Sequence, residues 1–185
     1  MEWLAAGDEV WTFEGAAQPL RWVGHRRLSA RDLARHPKLR PVWIGEGAPA
    51  QGAPGHGLCV APDTQLLLTG PQVSLNFGLD QALVQAGDLI NPPPMHGNSQ
   101  GLTYFMLLFD KHEVLLANGQ LCASLFADAG VRDLLARQFS TFPPDIRHHR
   151  FALPCLTEWE AGIIRAGQIF GKPQRLVVQG NRFQS

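Results

Sequence analysis

The chain has 185 residues, enough for one domain with a sizeable hydrophobic core. Its 16 basic and 16 acidic residues cancel, so the total charge argues against a nucleic-acid or anionic-membrane partner. No uncharged apolar run reaches the roughly 18 residues of a membrane-spanning helix, and Met1-Glu2-Trp3 does not open a signal peptide.

In chain order, Val10 to Phe13, Pro19 to Val23 and Arg40 to Ile44 are short apolar or alternating runs that read as strands. Between the second and third, Ser29-Ala30-Arg31-Asp32 opens a capped helix that Pro37 stops after about two turns. Gly45 to Gly57 is a Gly- and Pro-rich loop without the Gly-Lys-Ser/Thr ending of a phosphate loop. Leu58 to Ala61, Gln65 to Thr69, Gln72 to Phe77 and Ala82 to Gln85 continue the strand series, and Asn91 to Asn98, with three successive prolines, reads as a stiff spacer. Thr103 to Phe109 and Glu113 to Leu116 follow, and Asn118-Gly119 is a hairpin signal. Short strands at this spacing predict a mainly β domain. Past them, Asp128 caps a helix with Val131, Leu134, Leu135 and Phe139 on one stripe, ended before Pro143-Pro144. Thr157 and Glu160 form a capping box ahead of Trp159, Ile163, Ala166 and Phe170 at helical spacing.

Trp11, Trp22 and Trp43 each sit in a predicted strand with apolar neighbours two residues away, which predicts inward-facing core positions; outward rings would suit a carbohydrate-binding face instead. Cys59, Cys122 and Cys155 are unclustered and apolar-flanked, the pattern of buried thiols. His148-His149 are adjacent on an extended segment and cannot easily aim at one ion, so neither a metal site nor a cofactor is expected.

Four motifs, in order, carry a resemblance. They are Leu4 to Thr12 with Gln18-Pro19-Leu20-Arg21-Trp22-Val23-Gly24; Ala61 to Leu68; Thr103 to Gly119 with Asp110, His112 and Ala117-Asn118-Gly119; and Pro154 to Glu160. Together they resemble the bacterial branch of the Hint superfamily, the hedgehog and intein autoprocessing domains. That resemblance implies a mainly β, Hint-like fold of short antiparallel strands with a C-terminal helical tail. It further implies a division into a β-domain over 1–126, without the strand that bears the nucleophile, and a helical extension over 127–185 packed on it.

The family's chemistry is self-cleavage through a thioester, begun by an N-terminal Cys or Ser. The resemblance implies that His112 and Asp110 keep their positions, that Thr64 stands where the family carries a His, and that Ser124 stands where the cyclising Asn would be. Thr64 has no titration near neutral pH, and Ser124 cannot form a succinimide. Residues of one catalytic unit fail together, so the expectation is a degenerate domain, unable to splice, that serves as a structural or protein-binding module. The alternatives are residual autoproteolysis, with Cys122 or Ser124 as nucleophile and His112 as base, or an active domain whose true start lies upstream. The edge left by the missing strand is expected to be paired in a homodimer or covered by the helical tail, a protein partner is expected, and neither nucleic acid nor membrane is. Cytoplasm is the default location, and the family's habits permit non-classical secretion.

Overall fold

The computed structural model describes residues 3–44, 58–89, 101–118 and 120–170. The loop 45–57 and the spacer 91–98 lie outside the described residues. The described elements are mainly short antiparallel strands with a few helices, as the segmentation predicts. They fall into two compact units, one of Met1–Arg40, Pro94–Leu115 and Ala123–Ala152, the other of Pro41–Pro93, Leu116–Cys122 and Leu153–Ser185.

In the first unit, β1 (Glu9–Trp11) and β2 (Ala17–Pro19) form an antiparallel hairpin from Glu9↔Pro19 to Trp11↔Ala17. Trp11 is 70% exposed, so it is not the core residue that its neighbours suggested. With three residues in the strand, the apolar partner Val10 takes the inward face and the larger ring is left outside. The longest ladder joins β3 (Trp22–Leu28) to β8 (Leu102–Leu108), from Trp22↔Leu108 to Leu28↔Leu102. Here the expectation for Trp22 holds: its ring is buried, edge-on to Phe139 and Phe142, and its Nε1 donates to Thr141 Oγ1 at 3.1 Å.

The same ring fixes the strand beneath it. A Cβ added to Gly24 would lie 1.9 Å from the Trp22 indole, so no side chain fits while that indole is seated. Helix α1 (Ala30–Arg35) starts with the predicted box: Asp32 N–H bonds Ser29 Oγ at 3.2 Å, and Ser29 N–H bonds the Asp32 carboxylate at 3.0 Å. Helix α4 (Ala129–Gln138) is capped by Asp128, which accepts from Val131 N–H at 2.8 Å. Its Leu135 joins Trp22, Leu108, Ala127, Phe142 and Ile146 in one cluster, while Leu134 points to solvent and leaves the expected stripe.

In the second unit, β4 (Val42–Ile44) pairs with β5 (Leu58–Val60), and Trp43, opposite Cys59, is half-buried. A four-stranded sheet runs β7 (Gln81–Gln85), β6 (Gln65–Thr69), β10 (Gln120–Ala123), β9 (Val114–Ala117). The β9–β10 turn carries Asn118 at φ 47°, the left-handed conformation that an Asn-Gly hairpin needs. Gln72 to Phe77, predicted as a strand, is instead helix α2 (Pro71–Phe77). Pro71 at its first turn and Gly78 in the left-handed C-cap conformation close both ends, and Val73 and Phe77, four apart, share the buried side while Leu75 faces solvent. Apolar residues at 73, 75 and 77 fit strand alternation equally well, so the end signals decided.

After α3 (Ala86–Leu89), the remaining helix, α5 (Glu158–Phe170), opens on the predicted box, with Thr157 N–H to Glu160 Oε2 at 2.8 Å and Glu160 N–H to Thr157 Oγ1 at 3.3 Å. Its buried residues are Ala161 and Ile164. Trp159 is 76% exposed, so the predicted stripe is rotated away from the packed face; the Phe170 side chain lies outside the described residues. Pro154 to Leu156 run beside β7: Leu83 N–H bonds Pro154 O, and Leu156 N–H bonds Leu83 O, both at 2.7 Å. Gly24→Ala is expected to displace the Trp22 ring and to cost about 2–3 kcal/mol, as overpacking a core does; the midpoint of urea unfolding measures it.

Candidate site around His112

Strand β8 ends at Leu108, and the chain turns through Asp110 and Lys111 to deliver His112 into unit one's interior, where it is 4% exposed. Its Nδ1 accepts the Ala152 N–H at 3.0 Å, which places the imidazole proton on Nε2. The ring meets Phe126 edge-on at 5.3 Å and Phe151 at 5.5 Å, and those two phenyls stack on each other at 3.9 Å. His148 lies 6.3 Å away, ring centre to ring centre.

His148 is as buried as His112 and both of its nitrogens are engaged. Its Nδ1 accepts from Ala127 N–H at 3.1 Å, so its Nε2 carries the proton and donates to Phe109 O at 3.0 Å. The His148 amide also bonds Ala127 O at 2.8 Å. Burial first, and the neighbouring His148 second, pull the His112 pKa down to about 4. The Ser124 backbone opposes that shift in part, without meeting hydrogen-bond geometry, and the His112 Nε2–H is buried with no partner among the described residues. Leaving such a donor unmade costs about 1–3 kcal/mol.

Of the other expected site residues, only Ser124 lies near His112. Asp110 is exposed and pairs with Arg21, which also reaches Asp145 at 3.3 Å; its carboxylate is turned to that cation rather than to His112. Ser124 stands close to His112, but its Oγ accepts the Glu113 N–H at 3.0 Å while its own N–H bonds Glu113 O at 2.8 Å. Thr64 belongs to the second unit, in a turn where its N–H bonds Ala61 O at 3.0 Å and its O accepts from Ala86 N–H at 2.9 Å. Cys122, also of that unit, is buried, and burial pushes its thiol up to about 11, which keeps it protonated. Among the described residues no group of three His, Cys, Asp or Glu could hold a metal ion.

The residues that sequence reasoning missed are Phe126, His148 and Phe151. His148-His149 drew notice as a pair, yet the structure separates them, with His148 buried and His149 exposed. The alternation of buried Ile146 and His148 with exposed Arg147 and His149 was the available signal, and it marks an extended segment with one inward face.

The depressed His112 pKa has a stability consequence. In the unfolded chain the imidazole protonates below about 6.5, whereas the folded protein resists until about 4, so the unfolded state binds more protons between those values. Stability is therefore expected to fall as the pH drops from about 6.5 to 4, by up to about 3 kcal/mol. Thermal unfolding followed by circular dichroism across that window should show the decline, and His112→Asn, which retains an acceptor near Nδ1 but cannot titrate, should flatten it.

Among curated proteins and among solved structures nothing matches the chain. Its sequence does match the family described as Hint domain, over residues 1–129. That stretch holds the β1 to β10 strands and His112, and it covers well over half of the chain, so the protein belongs to the Hint domain family.

Proposed function

We propose that this Hint domain does not splice or cleave itself and acts as a structural or protein-binding module. The observation that carries the reading is the state of His112. Its imidazole is walled by Phe126, Phe151 and His148, it is neutral down to a pH of about 4, and its Nδ1 is spent on the Ala152 amide. A general base must have a free nitrogen facing the proton it takes, and this ring has none. Asp110 is engaged with Arg21 and so does not orient the imidazole. The improvised nucleophiles fare no better, since Ser124 is tied to Glu113 and the Cys122 thiol is held protonated. Thr64, at the position where the resemblance calls for a His, has a hydroxyl that neither donates a full proton nor accepts one near neutral pH. The outward rings of Trp3, Trp11 and Phe13 provide apolar surface that a protein partner would cover.

A second reading, residual autoproteolysis, rests on the unpartnered Nε2–H of His112, because a buried donor of that kind would polarise a carbonyl placed against it. Intact-mass spectrometry separates the two. Purified full-length protein incubated with dithiothreitol, and separately with hydroxylamine, is expected to keep one mass. A break within residues 121–124 that vanishes in His112→Ala would establish the second reading and overturn the first.

A further inference from the structure

The neutral total charge is the sum of uneven parts. Between His25 and Arg40 stand Arg26, Arg27, Arg31, Arg35, Lys38 and Arg40, six of the 16 Lys and Arg residues, against a single acid, Asp32. His25, Arg26, Arg27, Arg31, Arg35, His36 and Lys38 are all exposed. Asp32 lowers the positive potential felt by Arg35 and His36, and its Oδ2 accepts from the Ser29 hydroxyl at 2.6 Å and from the Ser29 amide, without forming an ion pair. Among the described residues none of these cations has a carboxylate within ion-pair distance; the pairs present are those of Arg21 and Arg132. Arg31 and Arg35, one turn apart on α1, repel each other, and the protein retains both.

The fold places the β3 part of this run on both faces of one exposed ribbon, His25 and Arg27 on one face and Arg26 on the other, with α1 following it directly. The strand opposite Arg26 and Arg27 is β8, Leu-Thr-Tyr-Phe-Met-Leu-Leu, which has no charged side chain to neutralise them. In that register His25 faces Phe105, with ring centres 6.5 Å apart, and Arg26 faces Tyr104. The Tyr104 hydroxyl donates to Leu39 O at 2.8 Å, which holds the Pro37–Leu39 turn, with exposed Lys38, against the face that bears Arg26. Exposed cations without a carboxylate partner follow a phosphate backbone, and the half-buried Phe105 ring beside His25 is of the kind on which an unpaired base stacks. A duplex groove would require a protruding helix or ribbon, and α1, with its six residues, is too short to supply one. An anionic bilayer would call for large apolar side chains exposed among the cations, and this surface presents none.

We infer that the β3–β8 ribbon with α1 is a binding surface for single-stranded nucleic acid, read through its phosphates and not its sequence. Fluorescence anisotropy of the full-length protein with a labelled oligo-dT of about 12 nucleotides tests it. Binding is expected in the range of about 1–100 µM at low salt, and with four phosphates neutralised it should weaken about 50-fold between 50 and 200 mM salt. Arg26→Ser with Arg27→Ser should weaken binding and reduce the logarithmic salt slope by about 1.4. Arg137→Ser with Arg150→Ser, the same charge loss elsewhere in the unit, should leave binding within about twofold. If the first pair disturbs the fold by circular dichroism, Arg31→Ser with Arg35→Ser takes its place, since removing a like-charge pair from an exposed helix face relieves repulsion. Absence of saturable binding, equal losses in patch and control variants, or tighter capture of a poly-glutamate peptide of matched charge would each overturn the inference, the last in favour of an acidic polypeptide.

Discussion

Two imidazoles hold together the part of this protein where no strand can. The segment from Pro143 to Ala152 has no ladder partner, yet its inward groups are tied to their surroundings through rings. His148 bridges the Ala127 amide and the Phe109 carbonyl, and His112 accepts the Ala152 amide. Each ring does what a neighbouring strand would do, satisfying backbone groups that burial would otherwise leave orphaned. The Ala152 bond requires the His112 Nδ1 as an acceptor, and so it requires an uncharged His112 ring. A protonated His112 would lose its acceptor and place a cation among Phe126, Phe151 and a second histidine. Neutrality of His112 is thus a condition of the local packing, and the proposal of an inactive domain rests on it.

What was legible in the sequence was local. Ser29 with Asp32, Asp128, and Thr157 with Glu160 sit within one helical turn of the groups they satisfy, and all three caps form as their spacing implies. Asn118 likewise needs no distant partner to choose its turn. What escaped depended on facing. Residues 71–77 carry an apolar pattern that two periods explain, and Trp11, Leu134 and Trp159 have apolar neighbours without a core to face. The site shows the same division. His112 and Asp110 stood out because they flank a strong strand, but the Arg21 that engages Asp110 is 89 residues away, and the Ala152 that engages His112 is 40. No short-range signal reports contacts of that reach. The charge run between His25 and Arg40 was visible throughout and was masked only by summing over the whole chain.

Membership of the Hint family and the state of His112 bear on each other in a particular way. A family can keep a histidine because the chemistry needs it or because the fold does, and the two demands usually coincide at one residue. Here the Ala152 amide fixes the ring's tautomer, and its neighbours bury it. The unspent Nε2–H is the one feature that packing leaves over.

The strip from Pro154 to Leu156 beside β7 has an effect beyond its two hydrogen bonds. Ala82, Leu83 and Val84 form an uncharged, fully apolar stretch on the outermost strand of its sheet, the kind of segment that invites another polypeptide to add on. The Leu83 amide and carbonyl at its centre are already taken from within the same molecule. Three residues of otherwise irregular backbone thereby occupy the middle of the rim, where an incoming strand would have to begin its pairing.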